Sequence, residues 1–492
     1  MKILLVYPDC PDTFWNLKYA LKFISKKVSL PPLGLLTVAA MLPKQWEKKL
    51  IDMNLETLTD SDIHWADYVF ISAMFLQKKS VEKIIQKCKN LRTKIVAGGP
   101  LFTSANELFD DIDHLILNEA EITLPLFLQD IKNGNPKHIY KSQQWADITK
   151  TPVPLWELLD MNKYAYMSMQ YSRGCPFSCD FCGVTSLFGN KMRLKTEDQL
   201  LAELEDLYLK GWRGYLFIVD DNFIGNKNQL KKHLLPAMIN WMKNRNYPFM
   251  FNTQVSINIA DDTELMKLMV EAGFNIVFIG IETPHEKGLI ECEKHQNKNR
   301  DLIDCVKKIQ SYGLQVQGGF ILGFDSDIPS IFDKLISFIQ KSGIVTAMVG
   351  LLNAPRGTKL YDRLDRENRL LGDASGDNTD LSMNFIPKMD HQQLIEGYKS
   401  VISKIYSHKY YYERIFTLFK NYKPIKKQKI KIDIPEINAL IKSIWYIGIK
   451  ERGKIYYWKL ILWTLFRRPQ LLQLAITFAI YGFHFRKIFA KY

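Results

Sequence analysis

Residues 173–182 read Arg173-Gly174-Cys175-Pro176-Phe177-Ser178-Cys179-Asp180-Phe181-Cys182. Three cysteines stand in a CxxxCxxC spacing just after Met167–Ser172, a stretch that reads as a β-strand. Thiolates are the ligands of iron–sulfur clusters and of structural zinc, so the loop points to one of these centres. Both usually take four protein ligands. No fourth Cys or His lies within a turn of the loop, and the next cysteine downstream is Cys292. A structural zinc site would want a paired second knuckle. Three cysteines on a 4Fe–4S cluster would leave one iron open to a further ligand.

Around this loop, strand-like and helix-like stretches alternate. Strands are expected near Met167–Ser172, Tyr215–Val219, Phe249–Gln254, Ile276–Ile279, Gln315–Leu322 and Val345–Leu351. Helices between them include Thr196–Leu209, Thr263–Ala272 and Leu302–Tyr312. Six βα units predict a partial (β/α)6 barrel over residues 166–352, with its site at the carboxyl ends of the strands. Those ends carry Asp220-Asp221-Asn222, Ile279-Gly280-Ile281-Glu282-Thr283 and Gly318-Gly319-Phe320-Ile321-Leu322-Gly323. Asp and Asn at a strand end also serve ordinary turns and caps, so each stretch alone is weak.

Upstream, residues 1–135 form a second alternating series. Its strands are Ile3–Tyr7, a stretch ending at Leu50-Ile51-Asp52, then Tyr68–Ser72, Lys94–Gly99 and His114–Leu117. They predict an α/β fold with a doubly wound, flavodoxin-like parallel sheet. Ligands on such sheets sit at the carboxyl ends, here Pro8-Asp9, Ser72-Ala73, Gly98-Gly99-Pro100 and Asn118-Glu119. Residues 136–165, with Thr151-Pro152-Val153-Pro154, read as a linker. After residue 352 the alternation stops, and 353–492 read as mainly helical, aromatic and basic.

Composition agrees with this plan. A chain of 492 residues has room for about three domains. With 47% hydrophobic and 24% charged residues it is neither disordered throughout nor collagenous. Seven cysteines are too sparse for a disulfide framework and fit a reducing, cytoplasmic compartment. Residues 401–492 hold 19 Lys/Arg against 4 Asp/Glu, more than the whole net charge of +14. Met1–Tyr7 does not read as a signal peptide, and no stretch supplies the roughly 20 apolar residues of a spanning helix.

The cysteine loop resembles that of radical S-adenosylmethionine (SAM) enzymes, with Phe181 as the aromatic before the last cysteine. The resemblance implies that Cys175, Cys179 and Cys182 hold a 4Fe–4S cluster whose open iron chelates SAM. One-electron transfer would then give methionine and a 5′-deoxyadenosyl radical. It also implies SAM contacts at Asp220, Asp221 and Asn222, at Glu282, and at Gly319, Ile321 and Gly323 of a GxIxG-like strand along the adenine. Asp220–Asn222 departs from the Gly-Gly-Glu-like stretch usual there, which fixes the region and not one atom pair.

Residues 1–135 resemble the cobalamin-binding domain that precedes the barrel in one radical SAM class. The matching stretches are Pro31-Pro32-Leu33-Gly34-Leu35, Ile71-Ser72-Ala73, Val96–Pro100 and Asn118–Glu121. They imply corrin contacts at Pro32, Gly34, Ser72, Gly98, Gly99 and Glu119. Where such domains carry DxHxxG, this chain reads Asp9-Cys10-Pro11-Asp12, so no histidine is expected on cobalt. His64, in Asp62–Asp67, imitates the motif without its glycine and is expected on a helix surface. Leu351–Tyr361, Asn384–Pro387 and Gly397-Tyr398 resemble the post-barrel region called DUF4070, found in a subgroup that includes the hopanoid methylases.

The expectation is thus a cobalamin-dependent radical SAM methyltransferase acting at an unactivated carbon of a hydrophobic, lipid or isoprenoid, substrate. Cyclisation or oxidation on the same architecture, and a non-catalytic corrin or iron–sulfur sensor, are the alternatives. The electron donor would be a flavodoxin or ferredoxin. Tyr456–Phe485 interleaves Trp458, Trp463 and Phe466 with Lys459, Arg467 and Arg468, the pattern of an interfacial helix on an anionic membrane. That places the protein at the inner face of a membrane, while nucleic acid is disfavoured for want of a binding module. Cys10, Cys88, Cys292 and Cys305 carry no expected role.

Overall fold

The two alternating series become two six-stranded sheets, both parallel throughout. The computed structural model describes residues 1–424 and 434–490. The first sheet comprises β1 (Lys2–Tyr7), β2 (Glu47–Asp52), β3 (Tyr68–Ser72), β4 (Lys94–Gly98), β5 (His114–Ile116) and β6 (Ile139–Tyr140). Its order is β2-β1-β3-β4-β5-β6. Successive side chains alternate between faces: Leu4 and Val6 join one buried cluster, Ile3 and Leu5 the other. Burial on both faces explains the unbroken apolar runs. The chain winds one way from β1 to β2 and the other way from β3 onward. The crevice beyond the carboxyl ends of β1 and β3 is therefore the topological switch point, where doubly wound sheets take their ligands.

The second sheet is built from β7 (Tyr166–Met169), β10 (Gly214–Ile218), β11 (Phe249–Gln254), β12 (Phe274–Glu282), β13 (Gln315–Leu322) and β14 (Ala347–Leu351). They lie side by side in chain order, as six βα units should. The helices start where sequence chemistry says they should. Thr196 caps Glu197–Leu209 in a capping box with Gln199, and Asp262 caps Thr263–Ala272.

Three expectations are corrected. The strand expected over Met167–Ser172 breaks after Met169; Ser172–Arg173 forms a separate short strand, β8, antiparallel to β9 (Arg193–Leu194). That two-stranded clip carries the cysteine loop. The stretch expected as linker is packed instead: Ile139–Tyr140 adds the sixth strand to the first sheet, and Trp156 is fully buried. The tail, expected to be interfacial over Tyr456–Phe485 with a second apolar helix at Leu471–Tyr481, divides. Its last helix, Leu472–Phe489, is docked: Phe485 stacks on Phe14 at 4.2 Å between ring centroids, and the Tyr481 and Tyr166 hydroxyls meet at 3.2 Å. Helix His391–Tyr406 braces β14 through Tyr398 and Tyr406 hydroxyls on the carbonyls of Val349 and Ala347. No helix among the described residues is long and apolar enough to cross a membrane. Of the tail's basic residues, Lys426, Lys427, Lys429, Lys431 and Lys491 lie outside the described residues.

Candidate active site

The cysteine loop is pinned by backbone contacts. Gly174 has φ of 92°, and a Cβ there would stand 2.8 Å from the Lys191 carbonyl oxygen, so only glycine fits the turn into the loop. Cys175 N–H donates to Gly189, Asp180 N–H to the Cys292 carbonyl, and Leu360 N–H to the Asp180 carbonyl. Phe181 packs into the apolar cluster of Phe324, Leu352 and Leu360. Cys292 is a fully buried member of that cluster, holding the loop by its backbone.

Cys175, Cys179 and Cys182 share one environment, each close enough to feel another's charge. Burial raises all three thiols, Cys182 to about 12. Among the described residues, no group of three His, Cys, Asp or Glu converges as a ligand set for a metal ion. Polar groups surround the thiols. Asn222 hydrogen-bonds toward Cys175, the Gln296 amide stands 3.9 Å from the Cys179 sulfur, and Lys294 lies within electrostatic reach of Cys179 and Cys182.

The three-residue run at the end of β10 divides its labour. Asp220 is fully buried and accepts from Tyr171 N–H (2.8 Å) and Ser172 Oγ (2.6 Å). Burial lifts it to about 6. Asp221 accepts from the Gly174 backbone and is raised to about 7 by burial and by Asp220. Both carboxylates brace the backbone that leads into the loop. Asn222 also bonds Ser256 at the end of β11.

Glu282 closes β12 with φ of 64°, at a register shift against β13. Its carboxylate accepts from Lys294 Nζ at 2.7 Å, with Glu282 buried and Lys294 largely so. Burial opposes the Lys294 charge, but Glu282 and the cysteines outweigh it and hold the ammonium protonated. A Cβ at Gly280 would sit 2.2 Å from Glu282 Oε1 and 2.9 Å from Lys294 Nζ, so glycine makes room for the pair. Asn297 bonds the Gly280 and Ile281 carbonyls, at 3.1 and 3.0 Å. Its Oδ1 and Gln296 Oε1 are buried without a hydrogen-bond partner among the described residues. Buried acceptors lacking donors fit a ligand that brings ammonium or hydroxyl groups, as SAM does. Gly319 faces Gly280 in register, and Asp327 accepts from Gly323 and Phe324 N–H at 2.9 and 3.1 Å, fixing the turn after Ile321.

At the switch point of the first sheet lies an open cleft of ≈ 130 Å³, lined among others by Tyr7, Pro32, Gly34, Ser72, Met74 and Gln77. Pro32, Gly34 and Ser72 thus come together, with Gly98 and Gly99 beside Pro100 at its rim. Small residues and backbone groups around an open cleft fit the polar rim of a corrin. The loop after β1 is tied down by Cys10 N–H on Asn54 (2.9 Å) and by Gln77 on the Pro8 carbonyl (2.6 Å). Among the described residues no histidine lines the cleft, and His64 is exposed on the short helix Asp60–Trp65.

Glu119 stands elsewhere. It is buried between the two sheets, bonded by Arg173 (2.9 Å), Arg193 (2.6 Å) and Ala146 N–H (2.7 Å). Glu121 completes the group with Arg173 at 2.7 Å. Sequence reasoning missed Lys294, Gln296, Asn297, Asp327 and Arg193. Lys294-His295-Gln296-Asn297 reads as an exposed polar turn, and only the fold carries it under the cysteine loop.

Comparison with known proteins agrees with this geometry. Residues 24–128 match the B12 binding domain, 169–339 the Radical SAM superfamily, and 358–492 a domain of unknown function, DUF4070. The chain is 40% identical over 490 residues to the uncharacterized methyltransferase sll1242 of Synechocystis sp., covering 99% of this chain and 91% of that one. It is 32% identical to the hopanoid C-2 methylase of Rhodopseudomonas palustris, covering 95% and 90%. The cobalamin-dependent S-adenosylmethionine radical enzyme OxsB, with aqua-cobalamin bound, shares the fold at a TM-score of 0.63 and 16% identity, over 100% of this chain and 79% of OxsB. A three-cysteine loop after the first barrel strand, an open cleft at a switch point, matches to both domain families and near full-length likeness to a methylase converge: the chain belongs to the cobalamin-dependent radical SAM methylases.

Proposed function

We propose that this methylase adds a methyl group to an unactivated carbon of a hydrophobic lipid or isoprenoid. The reading is carried by the near full-length likeness to a hopanoid methylase. When bound, the cluster with SAM supplies a hydrogen-abstracting radical, and the corrin supplies a transferable methyl group.

The chain's own residues hold and orient. Cys175, Cys179 and Cys182 would ligate the cluster, with Asn222 and Gln296 hydrogen-bonding toward the sulfurs. Glu282, Asn297, Gly319, Ile321 and Gly323 would line SAM, and Lys294 fixes the Glu282 carboxylate. Asp220 and Asp221 hold the loop's approach. Pro32, Gly34, Ser72, Gly98 and Gly99 would seat the corrin, without a histidine on cobalt. The Arg173–Glu119 and Arg193–Glu119 pairs fix one seat relative to the other, which matters because reacting atoms must be held within a few tenths of an ångström. A flavodoxin or ferredoxin would deliver the electron. The protein would work in the cytoplasm, at the inner face of a membrane.

The test uses protein reconstituted anaerobically with iron, sulfide and hydroxocobalamin, then given dithionite, SAM and a panel of hopanoid and isoprenoid lipids. The expected result is about four irons per chain, equimolar cobalt, 5′-deoxyadenosine, and a product heavier by one methyl group. A product without the added methyl would turn the reading to cyclisation or oxidation. Bound cofactors with no SAM turnover would turn it to a sensor.

A further inference from the structure

Helix Ile434–Ser443, continued by the π-helical stretch Ile444–Ile449, lies against helix Lys454–Arg467. The Trp458 indole N–H donates to the Gly448 carbonyl at 2.9 Å and ties them together. Ile447, Tyr457 and Leu460 are buried on the inner side. On the outer side Ile441, Trp445 and Ile449 recur every four residues along one helix. Ile455, Leu462 and Phe466 do so at intervals of seven and four along the other. All six are exposed, Phe466 by 79% and Ile455 by 74%. Single exposed apolar residues are ordinary; two adjacent stripes mark a contact surface.

Cations flank the stripes. Lys450, Arg452, Lys454, Lys459 and Arg467 are exposed, and none makes an ion pair among the described residues. The acidic residue between positions 437 and 467 is Glu451, which is turned inward to Arg486 at 2.8 Å. We infer that this face docks on an anionic lipid bilayer, its apolar side chains entering the boundary between headgroups and acyl chains while the cations meet phosphate. Neither helix is long and apolar enough to span, so the pair lies flat. A second copy of the chain would set cation against cation. Nucleic acid would satisfy the cations but leave both stripes in water. The inference rests on the lipid-substrate reading only for its purpose, which is to bring the barrel to where such a substrate resides.

The experiment is vesicle flotation of the reconstituted full chain, with phosphatidylglycerol in phosphatidylcholine or phosphatidylcholine alone, at low and high salt. The wild type should float with the anionic vesicles, less with neutral ones, and less in salt. Leu462→Glu combined with Phe466→Glu should lower the vesicle-bound population by about tenfold or more, because two apolar insertions are replaced by charges. Both positions are exposed, so iron content, cobalt content and SAM cleavage should match the wild type. Three results would overturn the inference: wild type that stays unbound, a variant that floats as well as wild type, or a concentration-dependent dimer that the variant dissolves. SAM cleavage and product mass, read on the same samples, separate a failure of docking from a failure of the methylase reading.

Discussion

Arg173 and Glu119 meet at 2.9 Å across the boundary between the two sheets. Arg173 immediately precedes Gly174 and the cysteine loop, while Glu119 opens helix Ala120–Lys132 after β5 of the other sheet. With Arg193 and Glu121 they form a largely buried group of two cations and two anions, Glu119 at its centre. Removing one member leaves a buried charge uncompensated. Glu119→Gln should therefore destabilise the protein by about 3 kcal/mol in denaturant titration. It should also loosen the spacing of the two seats, so that 5′-deoxyadenosine still forms while methylated product per SAM cleaved falls. An unchanged ratio would show that the pair serves stability alone.

Cys179 is the most buried of the three loop cysteines. Cys179→Ala should abolish iron incorporation and SAM cleavage while leaving cobalt binding near the wild-type level, because the corrin cleft lies in the other sheet. Metal analysis after reconstitution checks this. A variant that keeps full iron content would refute the ligand assignment.

Lys294 and Glu282 are paired out of solvent. Lys294→Met leaves Glu282 buried and unpartnered. SAM affinity should fall by about 10- to 100-fold, which is about 1.4–3 kcal/mol. The readout is the change that SAM causes in the electron paramagnetic resonance signal of the reduced cluster. Lys294→Arg should recover part of the loss, and iron content should stay constant. Loss of iron together with SAM binding would make the lysine a scaffold residue instead.

His484 is buried and accepts from Tyr19 N–H at Nδ1 (3.4 Å) while facing the Phe14 carbonyl at Nε2 (3.2 Å). That pattern assigns the neutral Nε2–H tautomer, and burial lowers its pKa from 6.5 to about 4. The unfolded chain binds the proton first as pH falls. Stability should be flat above about pH 6.5, decline through the window down to about pH 4, and level off below it, a loss of about 3 kcal/mol from this group. Denaturation at stepped pH, with His484→Gln as the comparison, should show a shallower acid slope in the variant.

Local patterns were legible, and distant partnerships were not. Runs such as Tyr68–Ser72 are apolar because both faces are covered, and the cysteine loop carries its chemistry within ten residues, so each announces itself. Strand ends carry ligands, which brought Glu282, Ser72 and Gly319 into view. Glu119 also lies at such an end, yet its carboxylate belongs to arginines 54 and 74 residues away, a pairing no local pattern encodes. Asp220, expected among the SAM contacts, accepts from Tyr171 N–H and Ser172 Oγ, partners that a strand-end carboxylate does not announce in sequence. The tail's two apolar helices look alike as sequences. Phe14 and Tyr166 cover one of them, while the other buries Tyr457 and Leu460 and leaves Ile455, Leu462 and Phe466 exposed.

The contact between Phe14 and His484 spans 470 positions. At about 5–20 residues per second of synthesis, the ribosome takes about half a minute to a minute and a half to make the second partner after the first. Until then Phe14 lacks the ring that stacks on it, although Ser29 can hold the Asn16 carbonyl from the start and Trp15 can meet Phe278 midway. The first sheet can pair its strands early, but the wall that Phe14 shares with Phe485 is finished only once residue 485 has been made. A chain cut before residue 472 would therefore leave that seam open.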